Sequence, residues 1–370
     1  MSETNLTAMA HQVVWLTFAL GIVFGAVAQR THFCTMGAVG DIVNIGSWDR
    51  MRQWLLAIAV AIIGTNLLAT SGQIDLAQSL YTSPRLTWLS HIIGGALFGF
   101  GMVLASGCGG KTLVRIGAGN LKSLVVFIVL GVSALISLRG ILALPRANWL
   151  EHFVILLPTT QDLPSLAATL GGNKTQLQLT LASLFAGLLT LFVLRSRQFR
   201  TLENMVAGIS IGLIIVAGWY VSGHLGYVAE HPDTLAEAFI ATNSGRMESF
   251  SFVAPFAYTL DLLMMWTDAS KGVSFGIAAA MGVIVGSLFM ALITRSFRWE
   301  GFGSIEDTAN HLVGAILMGF GGVTALGCTI GQGISGVSTL AIGSILSLCA
   351  ILSGTVAALK YQTWRMERTT

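Results

Sequence analysis

Apolar residues in this chain do not alternate with polar ones; they run in long blocks. A helix needs roughly 20 apolar residues to cross the hydrocarbon of a bilayer. Runs of about that length fall at 12–30, 53–71, 86–106, 122–144, 177–194, 203–222, 273–293, 309–327 and 339–359. The pattern predicts nine membrane-spanning helices. Two further stretches, 33–48 and 247–266, are apolar but interrupted. The first is short and glycine-rich, and the second holds Pro255 and Asp261. Both read as re-entrant half-helices, which lipid tolerates only where protein or water covers the open backbone.

Two of these blocks match each other. HIIGGALFGFGMVLASGC runs from His91 to Cys108, and HLVGAILMGFGGVTALGC from His311 to Cys328, at a constant offset and without a gap. Gly94, Gly99, Phe100, Gly101 and Gly107 recur as Gly314, Gly319, Phe320, Gly321 and Gly327. Spans one and six also share a spaced glycine pair, Gly21 with Gly25 and Gly208 with Gly212. These matches predict two four-helix repeats joined by the fifth span. One extra helix between two even-numbered repeats turns the second upside down, an architecture that transporters use with the substrate site at the midplane. The expected fold is an all-α integral membrane protein. Residues 1–145 form the first repeat, 146–202 a loop and linker helix, 203–360 the second, inverted repeat and 361–370 a cytoplasmic tail.

Composition agrees with lipid as the solvent. Hydrophobic residues make up 54% of the 370 and charged residues 10%, against about 25% charged in a soluble domain. The net charge of +3 is small. No basic stripe with interleaved aromatics is present, which argues against a nucleic-acid partner. The first residues, MSETNLTAMAHQ, lack a basic n-region and a small-residue cleavage site, so the first helix is expected to be retained. Charge also gives a direction. Arg50 and Arg52 follow span one, Arg195, Arg197 and Arg200 span five, Arg295 and Arg298 span seven, and Lys360, Arg365 and Arg368 span nine. The loop near 224–248 carries Glu230, Asp233, Glu237 and Glu248 against Arg246. With positive charge inside, the N-terminus is outside and the C-terminus cytoplasmic. Arg85, Arg139 and Arg146 vote the other way.

The candidate chemistry sits at the cysteines. Each matched helix ends in Gly-Cys and enters a glycine-rich run: GGKTLVRIGAGN after Cys108, TIGQGISGVS after Cys328. So much glycine predicts an opened backbone, with the next helices restarting near 121 and 338. Free N–H groups at such breaks attract anions. Gly107, Gly109 and Gly327 supply that backbone, and Cys34 stands where span one breaks off. Arg30, Lys111 and Arg115 lie beside the cysteines, and ionisable groups at membrane depth usually serve function. Thr329, Gln332 and Ser335 add neutral donors. A neutral thiol donates weakly and is polarisable; a thiolate would repel an anion. The cysteines are therefore read as thiols.

Plainer readings stand beside these. Cys349 has no glycine partner and reads as packing. Lys111 and Arg115 also fit cytoplasmic anchors, His91 and His311 interfacial caps, and Asp41 and Glu306 solvated loops. Asp261 is equally a functional group or a helix breaker. A sulfur-transfer or redox subunit carrying persulfide on cysteine is a rival function, since Lys111 and Arg115 could lower a thiol pKa. No haem-binding histidine pair, nucleotide motif or Cys-x-x-Cys is present, so neither a cofactor nor an enzyme is expected. The 13 methionines are scattered away from the cysteines, which disfavours a Cu(I) carrier and leaves no metal site expected.

The segments QRTHFC (29–34), GFGMVLASGCGGKTLVRIGAGN (99–120) and GFGGVTALGCTIGQG (319–333) resemble the YeeE/YedE family of bacterial membrane proteins. The resemblance covers essentially the whole chain. It implies a thiosulfate importer of the inner membrane with an hourglass-shaped inverted-repeat fold and short re-entrant helices. It implies that Cys34, Cys108 and Cys328 contact the ion through S–H hydrogen bonds, and that the ion passes between them without a large rocking motion. It further implies a small cytoplasmic sulfurtransferase resembling TusA as partner. Some members are proposed to handle selenium or other sulfur compounds. Lys111 departs from the family, whose members commonly carry a small residue there.

Overall fold

The computed structural model describes residues 3–232, 234–268 and 271–369; Asp233, counted among the acids of the long loop, lies outside them. Twelve helices carry the architecture: α1 Glu3–Arg30, α2 Thr35–Ile45, α3 Asp49–Thr70, α4 Trp88–Leu104, α5 Gly109–Gly117, α6 Leu121–Arg139, α7 Lys174–Leu194, α8 Leu202–Tyr220, α9 Ala254–Met264, α10 Phe275–Ile293, α11 Ile305–Thr324 and α12 Ile342–Thr369. Strand among the described residues is confined to two small antiparallel pairs, Arg85–Leu86 with Ile155–Leu156 and Tyr227–Val228 with Ala238–Phe239. The protein is an all-α, multi-pass integral membrane protein.

Eight helical stretches among the described residues are long and apolar enough to span, with α1–α2 and α4–α5 each counting once. The eighth expected span, 309–327, folds as α11 but is not among these eight stretches. Its first turn holds Glu306 and Asp307, which break the apolar run. It nevertheless packs inside the bundle against α4 and α6. Capping side chains set many of the starts. Asn120 accepts from the Ser123 N–H at 2.9 Å before α6, Asn173 from Thr175 before α7, Thr201 from Asn204 before α8 and Ser304 from Asp307 before α11. Each satisfies an N–H that a helix start leaves without a partner.

The two halves pack by exchange. Helix α1 lies on α10, and α8 lies on α3. Helix α4 lies on α12, and α11 on α6; α2 touches α12, and α9 touches α6. Each of these contacts made by an element of the first half is returned by its counterpart in the second. The glycines report this at atomic range. A Cβ built on Gly25 would fall 2.1 Å from the Val283 carbonyl of α10, and one on Gly212 2.7 Å from the Ala57 carbonyl of α3. One on Gly99 would fall 2.1 Å from Ile351 O of α12, and one on its partner Gly319 2.7 Å from Leu130 O of α6. The matched helices α4 and α11 also meet each other. Gly94 faces Gly321 while Gly101 faces Gly314, so the pair runs antiparallel.

Several local expectations differ from the structure. The backbone after Cys108 does not stay open, because α5 restarts at once on Gly109. After Cys328 the chain winds into a wide, buried helical turn over Gly331–Gly336, and α12 restarts at Ile342 rather than near 338. Helix α12 continues through the expected tail to Thr369. His91 is no interfacial cap, since it is 2% exposed and its Nδ1 lies 2.7 Å from Ser347 Oγ. Asp41 and Glu306 lie in helices and pair with Arg50 and Arg365.

Candidate functional site

The three cysteines at the helix breaks share one local geometry. Each stands two residues after a non-glycine residue in the left-handed region: His32 (φ 53°) before Cys34, Ser106 (φ 56°) before Cys108 and Leu326 (φ 59°) before Cys328. A left-handed residue ends the incoming helix. Cys34 and Cys108 are themselves extended, and each cysteine opens the following turn. Cys34 is the N-cap of α2, its Sγ accepting from the Gly37 N–H at 3.4 Å. Cys108 is the N-cap of α5, without a capping bond from its side chain. Cys328 Sγ accepts from the Gly331 N–H at 3.4 Å, at the head of the wide turn. All three sulfurs therefore sit at the positive ends of helical segments, where negative charge is favoured.

Phe252 ties two of these breaks together. Its N–H donates to Cys328 Sγ at 3.4 Å. Its carbonyl lies against Gly109, where an added Cβ would fall 2.6 Å from that oxygen, so the residue after Cys108 has to be glycine. Phe252 belongs to an aromatic cluster with Phe24, 5.4 Å centroid to centroid, and Phe250, at 6.2 Å. The segment 247–253 thus wedges between the halves. Sequence reasoning noted its broken apolar run but not its contact with cysteine, because it contributes backbone groups.

A small cavity of about 10 Å³ joins Cys34, Cys108, Lys111, Phe33, Phe24 and Ile330. That is room for at most one water and not for an anion. Lys111 reaches this cavity on α5. Arg115, one turn on, is half-buried with its guanidinium 3.9 Å from the position of a Gly107 Cβ. Arg30 is exposed at the end of α1 and does not join the cavity. Thr329 is fully buried and lies near the Cys108 thiol. Its hydroxyl meets no partner at hydrogen-bond geometry. A buried hydroxyl without a hydrogen bond costs about 1–3 kcal/mol and is uncommon among buried polar groups. Gln332 braces the end of α11, donating from Nε2 to the Ala325 carbonyl, and its buried Oε1 is also unpartnered. Gly327 (φ 158°) packs against Gln332.

The other cysteine, Cys349, is exposed. No group of three or more metal-ligating side chains forms among the described residues.

A family model described as sulphur transport matches residues 30–357 and spans all three cysteine breaks. The chain belongs to that family, the YeeE/YedE membrane proteins. Within the family it is similar to a thiosulfate transporter, TsuA, of Escherichia coli K12, 28% identical over 85% of this chain and 84% of that one. It is similar to TsuA of Spirochaeta thermophila at 26% over 92% of this chain and 97% of that one. A probable transporter of E. coli K12, YedE, is 29% identical over 53% of this chain and 44% of its own.

Proposed function

We propose that this protein imports a small sulfur-containing anion, thiosulfate, across a bacterial inner membrane, and that the ion passes between the thiols of Cys34, Cys108 and Cys328. The observation that carries the reading is the shared geometry: three thiols, each at the N-terminus of a broken helix behind a left-handed residue, two of them buried in the bundle core. An anion inside a bundle loses its water, and backbone N–H groups, thiols and the free Thr329 hydroxyl offer replacement donors. Each site is a weak donor set, which suits release to the next site. Lys111 and Arg115 balance the charge at the inner end, where a small sulfurtransferase resembling TusA takes the ion over.

Losing one hydrogen-bond donor to a charged group costs about 1.5–3 kcal/mol, roughly 10- to 150-fold in affinity. Uptake of radiolabelled thiosulfate is measured in cells that lack other thiosulfate importers. Cys108→Ala and Cys328→Ala are expected to lower it by that factor, while Cys349→Ala leaves it intact. Should both variants reach the membrane in normal amounts and transport like the unmodified protein, the relay is wrong.

A further inference from the structure

An apolar cavity of about 130 Å³ lies beside Cys328, apart from the Cys34–Cys108 gap. Its floor is Leu326 and Gly327, the residues that lead into Cys328. Its wall includes Tyr81, Ser251 and Tyr258. The Ser251 hydroxyl interacts with the Cys328 sulfur. Ser251 Oγ and Tyr81 Oη both abut the first residue of the wide turn, 2.5 and 3.2 Å from a Cβ built on Gly331. The cavity therefore ends one residue short of Cys328.

One acid lines it. Glu248 accepts at Oε2 from the Ser244 hydroxyl at 3.1 Å, and the Asn243 N–H also bonds its carboxyl. Its backbone is pinned by Ser222, whose hydroxyl bonds both its N–H and its carbonyl. The groups facing the carboxyl from neighbouring elements are neutral. They are Tyr81 before α4, Tyr258 on α9, Leu138 on α6, and Phe275 with Gly276 on α10. The charges nearest in the fold are engaged or turned away. Arg139 and Lys271 pair with Asp261, and Arg246 is exposed in the same loop. Among the described residues no cation pairs with Glu248.

An acid in the mouth of an anion pathway is a contradiction if it stays ionised. We propose that the cavity is an outer binding site for the sulfur anion and that Glu248 admits the anion only as the neutral acid. The inference rests on the import reading above. Protonated, the carboxyl offers an O–H donor to the anion; ionised, it repels a dianion across a short, poorly screened distance. Burial raises the Glu248 carboxyl from the usual range to about 7. The sign follows: the group is protonated and the site open below that pH, and it ionises and closes as the pH rises through it.

The test is initial uptake of radiolabelled thiosulfate into proteoliposomes across external pH 5.5–8.5 at fixed internal pH. For the unmodified protein, the apparent KM is expected to rise above pH 7, approaching about tenfold per pH unit for a one-proton requirement. Glu248→Gln is expected to abolish that dependence. Ser244→Ala removes a donor that favours the carboxylate, so it moves the midpoint to higher pH; it provides a second readout if the glutamine variant does not fold. Parallel profiles in the unmodified protein and both active variants overturn the role of Glu248 alone. No uptake at any pH by unmodified protein overturns the import reading and this inference together.

Discussion

Ser106 and Leu326 occupy the same place in the two repeats and adopt the same unfavourable backbone, φ 56° and 59°. His32 repeats it before Cys34. A left-handed conformation costs an ordinary residue about 1–2 kcal/mol, and such strain clusters at sites of function. The gain is direction: the turn lets an incoming helix stop and sends the cysteine to the head of a new one. Ser106 is the position at which this is cleanest to test, since its side chain is not in the buried core. Ser106→Val puts a β-branched residue where it is a genuine outlier. It is expected to lower stability by about 1–2 kcal/mol and the thermal midpoint in detergent with it, whereas Ser106→Gly does not. Equal midpoints for the two variants would remove strain from the account. At this scale the sequence was informative wherever a side chain carries the role. The Gly-Cys repeat marked Cys108 and Cys328, and the RTHFC segment marked Cys34. It was silent on Phe252, which acts through its backbone N–H and carbonyl, and on Thr329 as an orphan, which only burial reveals.

At the scale of elements, the helices were legible because lipid sets their length, and apolar blocks near 20 residues map onto α1, α3, α4, α6, α7, α8, α10 and α12. The restarts were not legible. Glycine lowers helix propensity, but Gly109 is demanded by the approach of the Phe252 carbonyl and Gly110 packs close to the Phe252 ring, and packing overrides propensity. The same logic ranks the glycines of the crossings. A Cβ on Gly25 or Gly286 would fall 2.1 or 1.9 Å from a carbonyl oxygen of the facing helix, with no flexible side chain to yield. Gly25→Ala and Gly286→Ala are therefore expected to cost at least about 1–3 kcal/mol, the usual range for overpacking. Gly187 sits in mid-α7 with nothing within 4 Å of a built Cβ, so Gly187→Ala is expected to be neutral or to stabilise by about 0.5–1 kcal/mol. Thermal unfolding of the purified variants in one detergent gives the order. A Gly25→Ala protein as stable as Gly187→Ala would mean that the α1–α10 crossing is looser than it is drawn here.

For the whole molecule the deciding quantity is direction, because reciprocal packing of the helices alone does not distinguish the two ends of the bundle. Charge breaks the tie. One end gathers Arg30, Arg50, Arg52 and Arg115 with the loops carrying Arg195, Arg197, Arg200, Arg295 and Arg298. Contacts bind it into a single face: Gln29 with Ser296, Asn120 with Glu300, Gln53 with Asn204 and Arg365 with Glu306. The opposite end joins 79 to 247 and 162 to 341 and carries the Glu248 cavity. Arginine-rich ends stay in the cytoplasm, so the C-terminus is expected inside, with Lys111 toward the cytoplasm and Glu248 toward the periplasm. A fluorescent protein fused after Thr370 should then fold and fluoresce, and alkaline phosphatase fused there should be inactive. An active phosphatase with a dark fluorescent fusion would invert the molecule. The titratable acid would then face the cytoplasm and meet the ion last, and the external pH dependence argued for it would have to appear on the internal side instead.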